Sequence, residues 1–549
     1  MPAPTRFDTH EVLNQAPLLE DIDLFAADRA LAEAVAANGA AQEKDALSAF
    51  GRHWGTAEMA AQARLADENP PKLETFDSRG NRRDTVEFHP AYHHFMRESM
   101  AAGLHAMTWN ADATPAPAPA EVARAARYYM VAQVENGHMC PITMTRASVA
   151  ALAAQPDLAK RVMPKIVSRH YDPSFRPWWE KSAMTLGMGM TEKQGGTDVR
   201  ANTTKAMPAD EGYAVTGHKW FMSAPMSDAF LVLAQAPSGL TCFVMPRFRP
   251  DGGVNALHFQ RLKNKLGNRS NASTEVEFKD AFALRVGEEG KGIRTILQMV
   301  QLTRLDCAIA SGGLMRAALV RALHNARHRK VFDKLLIEQP MMRLLLADLA
   351  LEVEGSVALT MRLCRAVDLS ATNENEARLA RALTPAAKYW ICKTAPAFAY
   401  EAMECLGGNG YVEDGVLARL YREAPVNAIW EGSGNVICLD VLRAIGRQGD
   451  SLQAVMADWL RQAADLPGTH DAVDLIARTL AAPNAEAQAR AAVERLALLA
   501  AAAALAQSAP AVAEIFARTR LSGRRGSSFG TSDISDSEAS LLLERALPA

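Results

Sequence analysis

The sequence predicts an α+β multidomain protein with four parts. These are a helical N-terminal domain at residues 1–183, a central β domain at 184–290, a helical bundle at 291–445 and an extra C-terminal helical domain at 446–549. Three observations carry this division. Apolar residues recur with helical period on both sides of the middle, as in Leu31-Ala-Glu-Ala-Val-Ala36. After Gly187 the pattern changes to short runs of β-branched and aromatic residues separated by Gly, Pro and Ser, the pattern of strands and turns. Beyond Gly446 the composition turns Ala-rich, with breaks at Pro467-Gly468, Pro483 and Pro510.

Taken in order, residues 24–66 are helical, and turns fall at Asn69-Pro-Pro71 and Ser78-Arg-Gly-Asn81. Thr114 to Pro119 is an extended spacer, because each proline fixes φ and removes a donor. Helix resumes at Glu121 through Glu135 and again near 147–169. Between them His138 to Thr145, apolar with hydroxyls, suits the wall of a ligand pocket. Gly212–Phe221, Phe230–Gln235, Leu240–Met245 and the alternating Ser273–Phe278 read as strands. Long amphipathic helices span about 292–405, punctuated at Gln339-Pro340 and Asn373-Glu-Asn375. In the tail, Ser522 to Asp533 is Gly/Ser-rich and polar, the composition of a mobile segment.

At 549 residues the chain exceeds one ordinary core. Its net charge of −2 creates no whole-molecule attraction for nucleic acid, so any such binding needs a local patch. Seven scattered cysteines without a CxxC pair point to reduced thiols and a cytoplasmic setting. The first fifteen residues have no apolar core of a secretory signal, and the longest apolar run, Leu496 to Ala506, is too short to span a membrane. His89, His93 and His94 lack the acidic third ligand of a zinc motif, so no metal site is expected.

Two distant stretches carry chemistry. In Pro425-Val-Asn-Ala-Ile-Trp-Glu-Gly-Ser-Gly-Asn435, Glu431 lies between an aromatic and a Gly-Ser-Gly turn. An apolar flank raises a carboxyl pKa and makes a better base near neutrality. In Met188 to Val199, hydroxyls at Thr191 and Thr197 and the bare backbone of Gly195-Gly196 suit phosphate or ring carbonyl oxygens. The second stretch is neither a GxGxxG nor a P-loop.

Together these stretches resemble the acyl-CoA dehydrogenase flavoproteins, over roughly residues 5–445. The AidB type of that family is resembled in Asn14-Gln-Ala-Pro-Leu18, Asn69-Pro-Pro71, Phe88-His-Pro90, Met139-Cys-Pro-Ile-Thr143, Met190 to Gly195 and Lys265 to Ala272. The resemblance implies an acyl-CoA dehydrogenase-like fold with bound FAD. It places on the flavin Met188, Gly189, Met190, Thr191, Glu192, Lys193, Gln194, Gly195, Gly196 and Thr197, then Met222, Ser223 and Ala224 after Trp220. It places on the flavin as well Ile429, Trp430, Gly432, Ser433, Gly434 and Asn435, around the base. Arg329 and Phe332 match a motif that reaches a neighbouring subunit's FAD pyrophosphate, with Asp333 where glycine is usual. Glu404 stands where the family has glutamine. Glu431 is the implied catalytic base, because the family's alternative base position is Thr303 here, which cannot act as a carboxylate.

The resemblance also implies a homotetramer (a dimer of dimers), weak or vestigial acyl-CoA α,β-dehydrogenation, and double-stranded DNA binding in the response to alkylation damage, partly through the C-terminal domain. Residues 446–549 hold ten arginines, no lysine and twelve acids, a net −2, so DNA binding there requires arginines gathered on one face. Arg518, Arg520, Arg524 and Arg525 are the expected cluster, with Arg443 at the domain entrance. Two alternatives remain: a working short- or branched-chain acyl-CoA dehydrogenase with no DNA role, and a flavin-bearing DNA-binding protein that no longer turns over.

Overall fold

The computed structural model describes residues 9–548; residues 1–8, which open the stretch read as carrying no secretory signal, lie outside the described residues. The N-terminal block begins with helices α1 (Arg29–Val35), α2 (Lys44–Trp54) and α3 (Ala57–Glu68). A hairpin of β1 (Lys72–Phe76) and β2 (Arg82–Glu87) follows, then α4 (Pro90–Ala101), α5 (Ala120–Ala132), α6 (Met139–Leu152) and α7 (Pro156–Ile166). The hairpin corrects the purely helical reading of this block. Its turn is the Gly-containing stretch expected at 78–81, where the Asp77 carboxylate accepts from Arg79 N and Asn81 N. The stretch 138–145 expected as a pocket wall is helical: Met139 to Thr145 form the first turns of α6.

Seven strands build the β domain: β3 (Leu186–Gly189), β4 (Lys205–Ala209), β5 (Gly212–Ser223), β6 (Ala229–Ala236), β7 (Gly239–Pro246), β8 (Leu257–Leu262) and β9 (Ser273–Val286). Pairings β6–β4–β5–β9–β7 return to β6, so five strands close on themselves; β3 adds to β6 and β8 to β9. Closure leaves few open edges. It also places Ser223, the last residue of β5, directly opposite Ser273, the first of β9.

The bundle consists of α8 (Gly292–His328), α9 (Pro340–Leu369) and α10 (Glu374–Glu404). Each break falls where the side chains dictate: Pro340 occupies the first turn of α9, and Asn373 caps α10 by accepting from Asn375 N and Glu376 N. Short helices α11 (Gly408–Tyr411), α12 (Val416–Glu423) and α13 (Val426–Ile429) lead to the Glu431 turn. Then come α14 (Gly434–Ala463), α15 (Thr469–Ala481), α16 (Ala485–Ser508), α17 (Pro510–Phe516) and α18 (Asp536–Ala546). The 445/446 boundary falls inside α14, one continuous helix. No helix among the described residues is long and apolar enough to cross a membrane.

The C-terminal helices share the bundle's core, and α9 is the reason. It carries three buried acids, Asp348, Glu352 and Glu354, which need partners because a buried unpaired charge is costly. The partners come from the tail. Arg520 Nη2 lies 2.6 Å from Asp348 and 2.9 Å from Glu352, and Arg545 Nε lies 2.6 Å from Glu354. Asp348 also accepts from Ser532 Oγ and Gly530 N, each at 2.8 Å. A side chain at Gly355 would collide with the Phe516 ring 2.4 Å away, so this glycine admits α17. The 522–533 segment expected to be mobile is thus fastened to α9.

Candidate active site

Glu431 sits in the turn between α13 and α14 with φ at 58°, the left-handed region that a non-glycine residue occupies only when its surroundings enforce it. Here three successive carbonyls are held. Lys388 Nζ, fully buried on α10, donates to Trp430 O at 2.7 Å and Gly432 O at 2.8 Å. Arg304 Nε on α8 donates to Glu431 O at 2.9 Å, and its Nη2 donates to Asp440 at 2.8 Å. The Glu431 carboxylate is part-buried, and Oε2 accepts from Thr303 Oγ1 at 2.7 Å. Oε1 has no protein donor among the described residues. Burial raises the pKa of Glu431, while the Thr303 hydroxyl and then the Lys388 and Arg304 charges oppose the rise. Thr303, identified in the sequence only as unable to be a base, is the residue that holds the Glu431 carboxylate.

The two distant stretches meet. Trp430 packs in the same apolar cluster as Met188, Met190, Ala224 and Cys140, formed where α6, α7 and the start of α8 cover the β domain. The indole is fixed by Nε1 donating to Asn427 at 3.0 Å. Met222 is buried, and Ser223 Oγ lies 3.2 Å from Ser273 Oγ. Around the loop after β3, Lys193, Gln194, Gly195, Gly196 and Thr197 are exposed. A Cβ on Gly196 would stand 2.3 Å from Thr191 Oγ1, so the tight turn requires the bare backbone.

Glu192 departs from its expected role. Its carboxylate is fully buried, receiving Lys219 Nζ at 2.8 Å, Thr203 N at 2.7 Å and Gln194 Nε2 at 2.8 Å. Lys219 above all outweighs the burial and holds this carboxyl well below the usual range. The Glu192 carboxylate therefore shapes the loop from inside. Ile429, Ser433 and Asn435 are exposed beside the base turn, with Gly432 and Gly434 half-buried.

Arg329 and Phe332 lie apart from these residues. Arg329 is 26 positions beyond Thr303 at the far end of α8, about 39 Å at 1.5 Å per residue. It donates to Asn14 O at 3.2 Å, and Phe332 is 89% exposed. Asp333, where glycine was expected, has φ at 64°, so the backbone keeps the left-handed form.

The expected arginine cluster does not survive as a set. Arg520 is buried in its pairs with Asp348 and Glu352 and is removed from any surface. Arg518 pairs with Glu538 at 2.8 Å, Arg524 lies 3.5 Å from Asp533, and Arg525 lies 3.8 Å from Glu352. Arg443 lies 3.4 Å from Asp440, which also pairs with Arg304, so it joins the network of the base turn. Of the three histidines, His89 caps α4, His93 bonds Tyr171 at 2.8 Å, and His94 lies against Met59.

The same architecture recurs among known proteins. Residues 187–281 match the acyl-CoA dehydrogenase middle domain and 290–446 its C-terminal domain, which defines the class as FAD-dependent acyl-CoA dehydrogenases. Residues 14–173 match the N-terminal domain of the adaptive response protein AidB. AidB of Escherichia coli (strain K12) is 50% identical over 444 residues, 80% of this chain and 81% of that protein. Acyl-CoA dehydrogenase family member 11 of Caenorhabditis elegans is 31% identical over 428 residues, 74% and 67% of the two chains. The crystal structure of C. elegans ACDH-11 in complex with C11-CoA superposes with a TM-score of 0.83 at 25% identity, covering 99% of this chain and 93% of that one. The Bd2924 apo-form gives 0.82 at 26% identity, covering 90% and 99%. This chain belongs to the AidB type of the acyl-CoA dehydrogenase family.

The residues present fit FAD. Asn202 Oδ1 and Asn271 Oδ1 are buried acceptors without a protein donor, near the loop after β3 and near Ser223 respectively. The amides of Gly196 and Thr197 have no protein acceptor among the described residues, a donor set suited to phosphate or ring oxygens.

Proposed function

We propose that this protein removes an α-proton and a β-hydride from an acyl-CoA thioester, with Glu431 as the base. The observation that supports this best is the ionisable, part-buried carboxyl held at 2.7 Å by Thr303 in a turn enforced by Lys388 and Arg304. With Oε2 bonded to Thr303, Oε1 takes the proton. FAD, when bound, supplies the acceptor for the β-hydride. The loop 188–197, Met222 to Ala224 and the base turn 429–435 would hold it, with Arg329 of a neighbouring subunit at the pyrophosphate, where a charge-assisted pair is strong.

An exposed apolar surface supports the homotetramer. Phe332 (89%) lies by Asn14 through Lys330, and Tyr411 (77%) follows Asn409, which bonds Gln15, so both flank the segment 13–18 that carries exposed Leu13 and Leu18. Exposed apolar side chains gathered about one segment suit a protein interface. The test is anaerobic titration of the FAD-loaded protein with a panel of acyl-CoAs. Bleaching of the oxidised flavin by one of them supports the reading, and bleaching by none removes it.

DNA binding in an adaptive response is the second reading, supported by the family description matched at residues 14–173 and by the exposed cations Arg443 and Arg524. With Arg520 buried, the tail offers few phosphate contacts. Anisotropy with unrelated duplexes should give a log–log salt slope of about 2 to 3, at roughly 0.9 per contact. No binding at low salt would leave the dehydrogenase alone.

A further inference from the structure

Lys265 lies in the connection between β8 and β9, part-buried, and has no part in the reaction described above. Its Nζ donates to Asn271 O at 2.6 Å and to Ser273 Oγ at 3.2 Å, and Ser273 Oγ lies 3.2 Å from Ser223 Oγ. A continuous path of polar atoms therefore runs from a cation to the segment assigned to the flavin. The connection is rigid. Glu423 on α12 accepts from Asn268 N at 2.6 Å, Ser270 Oγ donates to Glu135 at 2.6 Å, and a Cβ on Gly267 would stand 2.3 Å from Arg422 O.

We propose that Lys265 is a positioning residue for the cofactor: through Ser273 and Ser223 it directs positive charge to the flavin and favours the two-electron reduced state. The electrons come from the acyl thioester in the proposed reaction and from dithionite in the test. Burial holds the Lys265 ammonium down at about 8, against the pull of the groups facing it, Cys140 on α6 and Glu423. The Cys140 thiol is itself pushed up to about 11 by burial. Below pH ~8 the cation is present, and above it the charge is lost.

The inference rests on the flavin site proposed above, and the experiment separates the two. FAD-loaded protein, Lys265→Met and Lys265→Arg are titrated with dithionite against redox dyes from about pH 6 to about pH 9.5, a range that brackets a lysine shifted in this way. At the low end Lys265→Met should favour the oxidised flavin by about tenfold, ~30 mV for two electrons. The difference should close above pH ~9, whereas Lys265→Arg should stay above the wild type there. Superimposable potentials, or a gap constant across the pH range, would overturn the inference. If Lys265→Met does not take up FAD, the arginine variant decides alone: a bend near pH 8 that persists in it overturns the inference. Wild-type protein that takes up no FAD would instead remove the flavin site itself.

Discussion

Replacing Thr303 with valine should raise the pKa of Glu431. The Thr303 hydroxyl has one proton and two acceptors in reach, Glu431 Oε2 at 2.7 Å and Val300 O at 3.0 Å. While Glu431 is ionised the proton serves the carboxylate. Once Glu431 is protonated at Oε1, the hydroxyl can turn its proton to Val300 O instead. A hydrogen bond to a charged group contributes about 1.5–3 kcal/mol, and the alternative bond to a neutral carbonyl recovers about 1 kcal/mol. The net preference for the ionised form is thus about 0.5–2 kcal/mol, or about 0.4–1.5 pK units at 1.36 kcal/mol each. Valine keeps the shape and removes the donor. The rate of flavin reduction by acyl-CoA in single turnovers, followed against pH, reports the base on its acid limb. That limb should move to higher pH in Thr303→Val. An unmoved limb, or one moved to lower pH, would refute the reasoning.

Arg520→Ala should cost about 3–5 kcal/mol of stability in urea unfolding, because it leaves Asp348 buried without its cation and Glu352 with only Arg525 at 3.8 Å; a change within experimental error would show that the pairing is dispensable. Glu423 is pushed up to about 7 by burial, so its contribution to stability is present below the ordinary carboxyl pKa and is lost as pH rises through about 7. Glu423→Gln keeps an acceptor for Asn268 N and should match the wild type in melting temperature near pH 4 but melt higher by pH 8. Equal melting temperatures at both pH values would contradict this. Arg329→Ala should weaken FAD retention without touching the base turn of its own subunit, read as flavin released on gel filtration; unchanged retention would place the pyrophosphate elsewhere.

Much of this was legible in the sequence where the signal is local. Gln339-Pro340 and Asn373 fixed the ends of α9 and α10 because a proline and a capping side chain act within one turn. The strands β5, β6, β7 and β9 followed from β-branched runs. The misreadings involve long separations or competing patterns. Arg520 read as a surface cation because its partners Asp348 and Glu352 lie 172 and 168 residues earlier. The 445/446 division rests on a composition shift and coincides with the end of the matched C-terminal domain at 446, while the helix α14 itself runs across it. Thr303 was noted for what it cannot do, since its bond to Glu431 spans 128 residues. The β1–β2 hairpin is not legible because the residues β2 buries, Asp84, Thr85 and Val86, include a single apolar side chain, so the pair lacks the apolar alternation that marks a half-buried strand.

The central claim is that Glu431 is the base, and its most direct test is anaerobic single-turnover reduction of FAD-loaded Glu431→Gln by an acyl-CoA that reduces the wild type. The amide preserves the turn and the Thr303 bond but cannot accept a proton, so reduction should slow by roughly 10²–10⁴-fold while the flavin stays bound. Reduction at the wild-type rate with full flavin occupancy would contradict the account.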